Sequence, residues 1–394
     1  MVASRLGDNA DIVMGQSPSG ETCNTTGIGL PLLNGPTEYG PHHPLPVQFT
    51  TDARKRARRG DVLFCVRGST TGRMNWADRE YAIGRGVAAI RHKKNPALQP
   101  LVRAVIDYGL PGLLAQATGS TFPNVSGEQL AELWWPALTE DDERAIAHIL
   151  GTLDDKIELN GRMNGTLEAT ARALFSTWLG GLDALRVPTS ALIQAQILEI
   201  GDGYRAKNSE LGAPGLPFIR AGDLNNGFDT TGADILHKES AAKAGRKISR
   251  VGDIAFTSKG TIGRFARVTD HTPPLVYSPQ ICYWRSLDFQ KLHPTILYCW
   301  MQSNDLRDQI LAVAGQTDMA PYVSLQDQRQ MTMPVFPESQ HIIARQIEPL
   351  LARQSSNVAE NRFLSELHDT LLPKLVSGAL RVTHANKFIV EPGR

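Results

Sequence analysis

The chain has 394 residues, room for two or three domains, and its formal net charge of +1 and 41% hydrophobic content are those of an ordinary globular protein. No apolar run approaches the length of a membrane span, and Met1-Val2-Ala3-Ser4-Arg5-Leu6-Gly7-Asp8 lacks the apolar core of a signal peptide, so the cytoplasm is the expected compartment. The four cysteines, Cys23, Cys65, Cys282 and Cys299, form no C-x-x-C pair, which excludes zinc-finger spacing and a disulfide framework.

In chain order, His42-His43 between Pro41 and Pro44 reads as a turn rather than a metal site. The basic run Arg54-Lys55-Arg56-Ala57-Arg58-Arg59 then leads into Gly60-Asp61-Val62-Leu63-Phe64-Cys65-Val66. Val62–Val66 and Val87–Ile90 are expected as buried strands bounded by glycine turns, with Cys65 a small core residue. Gly68-Ser69-Thr70-Thr71-Gly72-Arg73 lacks the Lys-Ser/Thr continuation of a phosphate-binding loop and reads as a tight turn, with phosphate contact through Arg73 as the functional alternative. Asn95-Pro96-Ala97-Leu98 only superficially resembles the Asn-Pro-Pro-aromatic motif of amino-methyltransferases, because the second proline and the base-stacking aromatic are missing. A helix is expected over Pro100–Gln116, and Glu140-Asp141-Asp142-Glu143 marks the start of a long one, where acidic residues favour a helix N-terminus.

The second half says nearly the same again. Gly15 returns as Gly201 and Gly29-Leu30-Pro31-Leu32 as Gly215-Leu216-Pro217-Phe218, both offset by 186 (201 − 15, 215 − 29). The Gly-Asp motif returns as Gly252-Asp253-Ile254-Ala255-Phe256, offset by 192 (252 − 60), and Pro123-Asn124-Val125-Ser126 as Pro321-Tyr322-Val323-Ser324, offset by 198 (321 − 123). Lys243, Arg246, Lys247 and Arg250 precede the second Gly-Asp motif as the basic run precedes the first. Two basic runs at equivalent repeat positions suggest contact with phosphates. Strands are expected at Ile254–Phe256 and Ile281–Trp284, with Cys282 in the core, a turn at Gly260-Thr261-Ile262-Gly263 ahead of Arg264, and a helix over Pro294–Val313. Gly180-Gly181-Leu182-Asp183 reads as the linker between copies.

Each half closes with a heptad seam. Ile146, Leu150, Leu153, Ile157, Asn160, Asn164, Leu167, Ala171, Leu174 and Trp178 alternate spacings of 4 and 3. Ile343, Ile347, Leu350, Gln354, Asn357, Asn361, Leu364, His368, Leu371 and Leu375 repeat them, each offset by 197 (343 − 146). The pattern predicts two long helices packed on each other with paired Asn layers near the middle, polar positions that fix register at some cost in stability. Packing of each helix on its own globular domain is the alternative. Gly151, Gly161 and Gly165 weaken the first helix, and Pro349 and Pro373 are expected to kink and to break the second.

No carboxylate or Ser/His constellation recurs in both halves, and no H-E-x-x-H occurs, so a catalytic reading lacks a candidate. Together, Gly60-Asp61-Val62-Leu63-Phe64 with Arg67-Gly68, Ala82-Ile83-Gly84-Arg85-Gly86-Val87-Ala88-Ala89-Ile90-Arg91, Leu153-Asp154-Asp155-Lys156-Ile157-Glu158-Leu159-Asn160 and Leu371-Leu372-Pro373-Lys374-Leu375-Val376-Ser377-Gly378 resemble the specificity subunits of type I restriction-modification systems over nearly the whole chain.

The resemblance implies an α+β fold of two tandem target recognition domains, each followed by a long helix, with the helices paired as an antiparallel coiled coil in a pseudo-two-fold repeat. The implied parts are recognition domain 1 (1–137), central helix (138–182), recognition domain 2 (183–337), C-terminal helix (338–380) and a tail (381–394). It implies a non-catalytic subunit in which each domain reads half of a split site on double-stranded DNA. Two methyltransferase subunits and motor-nuclease subunits are the implied partners, carrying the S-adenosylmethionine and ATP, with no cofactor, metal or membrane here. Arg54, Lys55, Arg58, Lys243 and Lys247 are expected on the DNA backbone, and Arg67, Arg73, Lys259 and Arg264 near the bases. Departures from the family pattern are a short N-terminus, suggesting a first domain without an opening strand, and Val276-Tyr277-Ser278-Pro279-Gln280 in place of the Ala-Ile-Gly-Arg-Gly segment. The alternatives are a self-contained DNA methyltransferase or nuclease with a cryptic site, and a coiled-coil adaptor with no DNA role.

Overall fold

A computed structural model describes residues 4–116, 123–181, 184–224, 227–314 and 322–382. The chain divides into two compact units. One holds the described residues up to Leu159 and those from Asn361 onward; the other is Asn160–Glu360.

The first unit is built on a four-stranded antiparallel sheet of β1 (Ala10–Met14), β2 (Val62–Cys65), β3 (Met74–Trp76) and β4 (Val87–His92), in the order β1-β4-β2-β3. The apolar run of β2 is buried on both faces, as a central strand requires. Gly60 enters it at φ +88°, a conformation that strains any residue with a side chain. Asp61 is then buried, its Oδ2 accepting the Arg58 backbone N–H at 2.7 Å and the Arg91 guanidinium at 2.6 Å. Strand Leu30–Leu33 pairs in parallel with Tyr81–Ile83 in a second sheet.

An opening strand is present after all. Ser4–Arg5 pairs with Trp134–Trp135, and β1 takes an edge of the main sheet. The helix expected over Pro100–Gln116 forms at Gln99–Ala115. Before it, Asn95 caps a single turn, its Oδ1 accepting the Ala97 N–H at 3.0 Å, so the Asn-Pro motif is a helix start.

The second unit has β5 (Leu198–Asp202), β6 (Ile254–Thr257), β7 (Phe265–Arg267) and β8 (Ile281–Ser286), in the order β5-β8-β6-β7, the same order as in the first unit. Gly252 sits at φ +91°. Asp253 is fully buried against Arg285 and accepts the Tyr277 hydroxyl at 2.9 Å. Burial pushes the Cys65 and Cys282 thiols up, as fits small core residues. The single helix expected over Pro294–Val313 is two, Pro294–Met301 and Asn304–Ala314. Ser303 ends the first by donating its N–H (2.9 Å) and its hydroxyl (2.6 Å) to the Trp300 carbonyl.

The long helices are Glu140–Gly181 and Gln340–Val376, and each gives one half to each unit. In the first unit Ile146 and Leu150 share a core with Leu372, Leu375 and Val376, together with Leu6, Val62 and Phe64 of the globular part. Further along, Asp154 faces His368 at 4.0 Å and the Ile157 carbonyl accepts from Asn361 at 3.2 Å. In the second unit Asn160 donates to Glu360 at 2.8 Å, Asn357 donates to Asn164 Oδ1 at 2.8 Å, and Trp178 donates to Gln346 at 3.0 Å. Within each unit, numbers rise along one helix as they fall along the other.

Helix-on-helix and helix-on-domain packing therefore both occur, and the second bends the heptad. In the second unit the globular core takes Phe175 and Leu351 fully, leaving the expected seam residues Leu174 and Leu350 only partly buried. Pro373 does not break the helix, which runs on past Pro349 and Pro373 to Val376. Both prolines are exposed, as are Arg345 and Asp369 four residues back, so water can take the carbonyls the prolines leave unpaired. Gly151 also has a packing role, since a Cβ there would lie 2.9 Å from Pro100. Leu182 and Asp183 of the expected linker and the tail beyond Val382 lie outside the described residues.

Candidate nucleic-acid interface

In the first unit Arg54, Lys55 and Arg58 are all exposed. Their backbone is stitched to the second sheet: the Lys55 carbonyl accepts the Ile83 N–H at 3.0 Å, and Arg56–Ala57 pairs with Tyr81–Ile83. Ala57 is buried in this pairing, while the basic residues on either side of it stay exposed. Arg54 is partly neutralised by Asp52 at 2.7 Å and Arg56 by Glu80 at 3.2 Å.

The loop between β2 and β3 is a turn, with Gly68 at φ +96° and Gly72 at φ +94°. Arg67 is exposed at its start and bridges to Asn124. It shares a cleft of about 330 Å³ with Ser17, Asn34, Gly35, Arg85 and Gly86. Asn34 crowds this cleft: a Cβ at Gly84 would meet its Oδ1 at 2.4 Å, and one at Gly86 its carbonyl at 2.2 Å. A side chain at Gly86 would strike the Asn34 backbone and one at Gly84 would have to displace the Asn34 amide, so Arg85 is presented between two close approaches. Sequence reasoning missed Arg85 as a site residue, although the Gly-Arg-Gly spacing was the available signal.

Arg73, exposed, and Arg264, half-buried, have partners within the protein. Arg73 donates to the carbonyls of Pro36 (3.4 Å) and Tyr39 (3.2 Å), and Arg264 at the equivalent position donates to Ala221 O at 3.3 Å. Both spend donors holding a neighbouring loop, because a guanidinium can satisfy carbonyls that no strand partner reaches. Lys247 is likewise committed, to Asp202 at 3.0 Å and the Gly203 carbonyl at 2.7 Å.

In the second unit Lys243 is exposed on helix Lys238–Ala244. Lys259 stands where Arg67 stands in the first copy and lies 4.7 Å over the Tyr322 ring, making the equivalent bridge. Pro279 occupies the place of Arg85 (85 + 194) and carries no charge. Each unit thus offers a polar, basic loop face at the same place in its sheet, with different side chains. Among the described residues one cluster has metal-ligand chemistry, His42, His43 and Glu158. No helix of the described residues is long and apolar enough to cross a membrane.

Known proteins bear on this arrangement. No family model matches the chain. The putative MjaX type I restriction enzyme specificity subunit of Methanocaldococcus jannaschii is 30% identical over 178 residues, 45% of this chain and 41% of that protein. The MjaIX specificity subunit of the same organism is 25% identical over 285 residues, 67% of this chain and 64% of that one. The HindI specificity subunit of Haemophilus influenzae is 28% identical over 156 residues, 37% of this chain and 34% of that one.

The chain is similar to type I specificity subunits.

The matches span 34% to 64% of those relatives' lengths. The fold extends further: the crystal structure of a type I restriction-modification S subunit from M. genitalium superposes with a TM-score of 0.60 over 95% of this chain and 96% of that chain, at 18% identity. The α+β architecture with its long helices is therefore that of a type I S subunit.

Proposed function

We propose that this chain is the non-catalytic, sequence-specific DNA-binding subunit of a type I restriction-modification complex. The observation that carries the reading is the pair of sheets with one strand order and two different loop faces, Arg67 with Arg85 and Lys259 with Tyr322. Equal scaffolds with unequal loops suit a split DNA site whose halves differ. Exposed Arg54, Lys55, Arg58 and Lys243 would contact phosphates, which position the protein without carrying sequence. Arg67, Arg85 and Lys259 would reach base edges, where Arg or Lys to guanine is the commonest specific contact.

On this reading the long helices form one antiparallel coiled coil holding recognition domains 1–137 and 183–337 apart. The seam from Ile146 to Trp178 covers 32 residues (178 − 146), about 48 Å at ~1.5 Å per residue. The helices would dock two methyltransferase subunits, and motor-nuclease subunits would join them. S-adenosylmethionine and ATP would be bound by those partners, in the cytoplasm.

Methylation mapping of the host genome, with and without the gene, tests the reading. A split motif with a fixed spacer should vanish on deletion. Exchanging residues 1–137 for another such domain should change one half of the motif and leave the other. An unchanged methylome, or methyl transfer by the isolated chain, would overturn the proposal.

A further inference from the structure

In the first unit, the loop carrying His42 and His43 lies against the first long helix at Glu158. His43 Nε2 is 3.1 Å from Glu158 Oε1, and His42 Nε2 is 3.2 Å from Glu158 Oε2. All three side chains are largely shielded, at 21%, 34% and 18% exposed for His42, His43 and Glu158. The two rings meet edge to face at 4.7 Å.

The other edge of His43 decides what can sit here. Its Nδ1 lies 2.9 Å from the Trp76 carbonyl, which has no proton to give, so Nδ1 carries the proton. In the neutral ring Nε2 then holds a lone pair, and it points at a carboxylate oxygen. At that distance a cation stands between them, either a second ring proton or a metal ion. A ring nitrogen fixed by a backbone carbonyl on its far side is also the usual setting of a metal-bound imidazole.

We propose that His42, His43 and Glu158 bind one divalent transition metal ion of the zinc class. The three ligand atoms lie within 4.8 Å of one another. Ligands about 2.1 Å from a tetrahedral ion sit about 3.4 Å apart, so a modest spreading of the group admits the ion. Two imidazoles and a carboxylate are a borderline-soft donor set that suits zinc better than calcium or magnesium. Arg103, whose charge bears on His42, contacts Asp107 at 3.6 Å and Asp154 at 3.7 Å. The ion would staple the loop to the helix. That loop also supplies the Pro36 and Tyr39 carbonyls that hold Arg73, so metal occupancy would fix the geometry of the adjoining basic face. The site stands whether or not the DNA-binding reading does.

The test uses the tag-free full-length chain, stripped with chelator and titrated with Zn2+ alone by calorimetry, then with Co2+ to read its visible d–d absorption. The expected result is one ion per chain, a higher thermal midpoint with Zn2+, and a Co2+ spectrum stronger than that of the aquo ion. Glu158→Gln and His43→Gln should each weaken binding by more than about a hundredfold, beyond the ~10–100-fold loss expected for a merely supporting residue. His368→Gln, outside the cluster, should bind normally. Absence of stoichiometric binding by the parent chain, or full binding in both cluster variants, would overturn the site. The Co2+ spectrum of the parent chain decides the matter even if a variant fails to fold.

Discussion

Arg285 grips Asp253 through two hydrogen bonds of 2.7 Å, Nε to Oδ1 and Nη2 to Oδ2, with side chains 4% and 0% exposed. Asp61 and Arg91 hold the same positions in the first unit, with Arg91 at 17%. Asp253→Ala leaves a buried guanidinium with only Glu199, at 3.8 Å, as a counter-charge, a loss of about 3–5 kcal/mol. Asp61→Ala should cost less, because water reaches Arg91. Denaturant titration of both variants ranks them; equal losses would contradict the burial argument.

The Asn164–Asn357 hydrogen bond predicts a non-additive double-mutant cycle. Asn164→Leu alone strands the amide of Asn357, which is 1% exposed, at a cost of about 1–3 kcal/mol. The double Leu variant should recover most of that loss. Additive losses would mean the two amides do not act as a pair.

Glycines on the first long helix should split by their surroundings. Nothing lies within 4 Å of a Cβ at Gly161 or Gly165, so Ala there should stabilise by up to about 1 kcal/mol each. Gly151→Ala drives a methyl to 2.9 Å from Pro100 and should destabilise. Thermal melts of the three single variants suffice.

Salt dependence separates the basic residues in the assembled complex on DNA. Arg58→Ala should lower the slope of log K against log salt by ~0.9, with little change in sequence preference. Arg67→Ala or Lys259→Ala should cost about 1–3 kcal/mol on the cognate site and relax one half of it only. Arg73→Ala should lower the stability of the free chain, because its donors hold the Pro36 and Tyr39 carbonyls.

Acid should loosen the first unit through His92. Its Nδ1 accepts the backbone N–H groups of Asn95 (3.0 Å) and Lys94 (3.3 Å), which a protonated ring could not do. Burial, chiefly, lowers its pKa below 6.5. The unfolded chain then binds a proton that the folded chain resists. Stability is full above about pH 6.5 and falls as pH drops through that value toward the lower folded pKa. Denaturation midpoints between pH 7.5 and 5.5 check the slope, and His92→Gln should flatten it.

The central strands, the Gly-Asp turns and the two long helices were legible because period and punctuation are local properties. The partners of the two aspartates were not, since Arg91 and Arg285 lie 30 and 32 residues away on another strand. Phe175 and Leu351 displaced their seam neighbours because a globular core, invisible to heptad counting, competes for the same helix face. The Pro373 expectation failed because a helix exposed on one side can leave a freed carbonyl to water. Within the candidate site, Arg67 and Lys259 were readable from the repeat. The internal duty of Arg73 and Arg264 depends on loop carbonyls that no pattern encodes.

Because the last turns of the second long helix lie in the first unit, a nonsense codon near position 361 would spare the second unit and injure the first. It would strip out Leu372, Leu375 and Val376, which are 8%, 1% and 0% exposed in the core that also holds Leu6 and Phe64. The genetic lesion would lie at the 3′ end of the reading frame, and its phenotype would belong to the 5′ end.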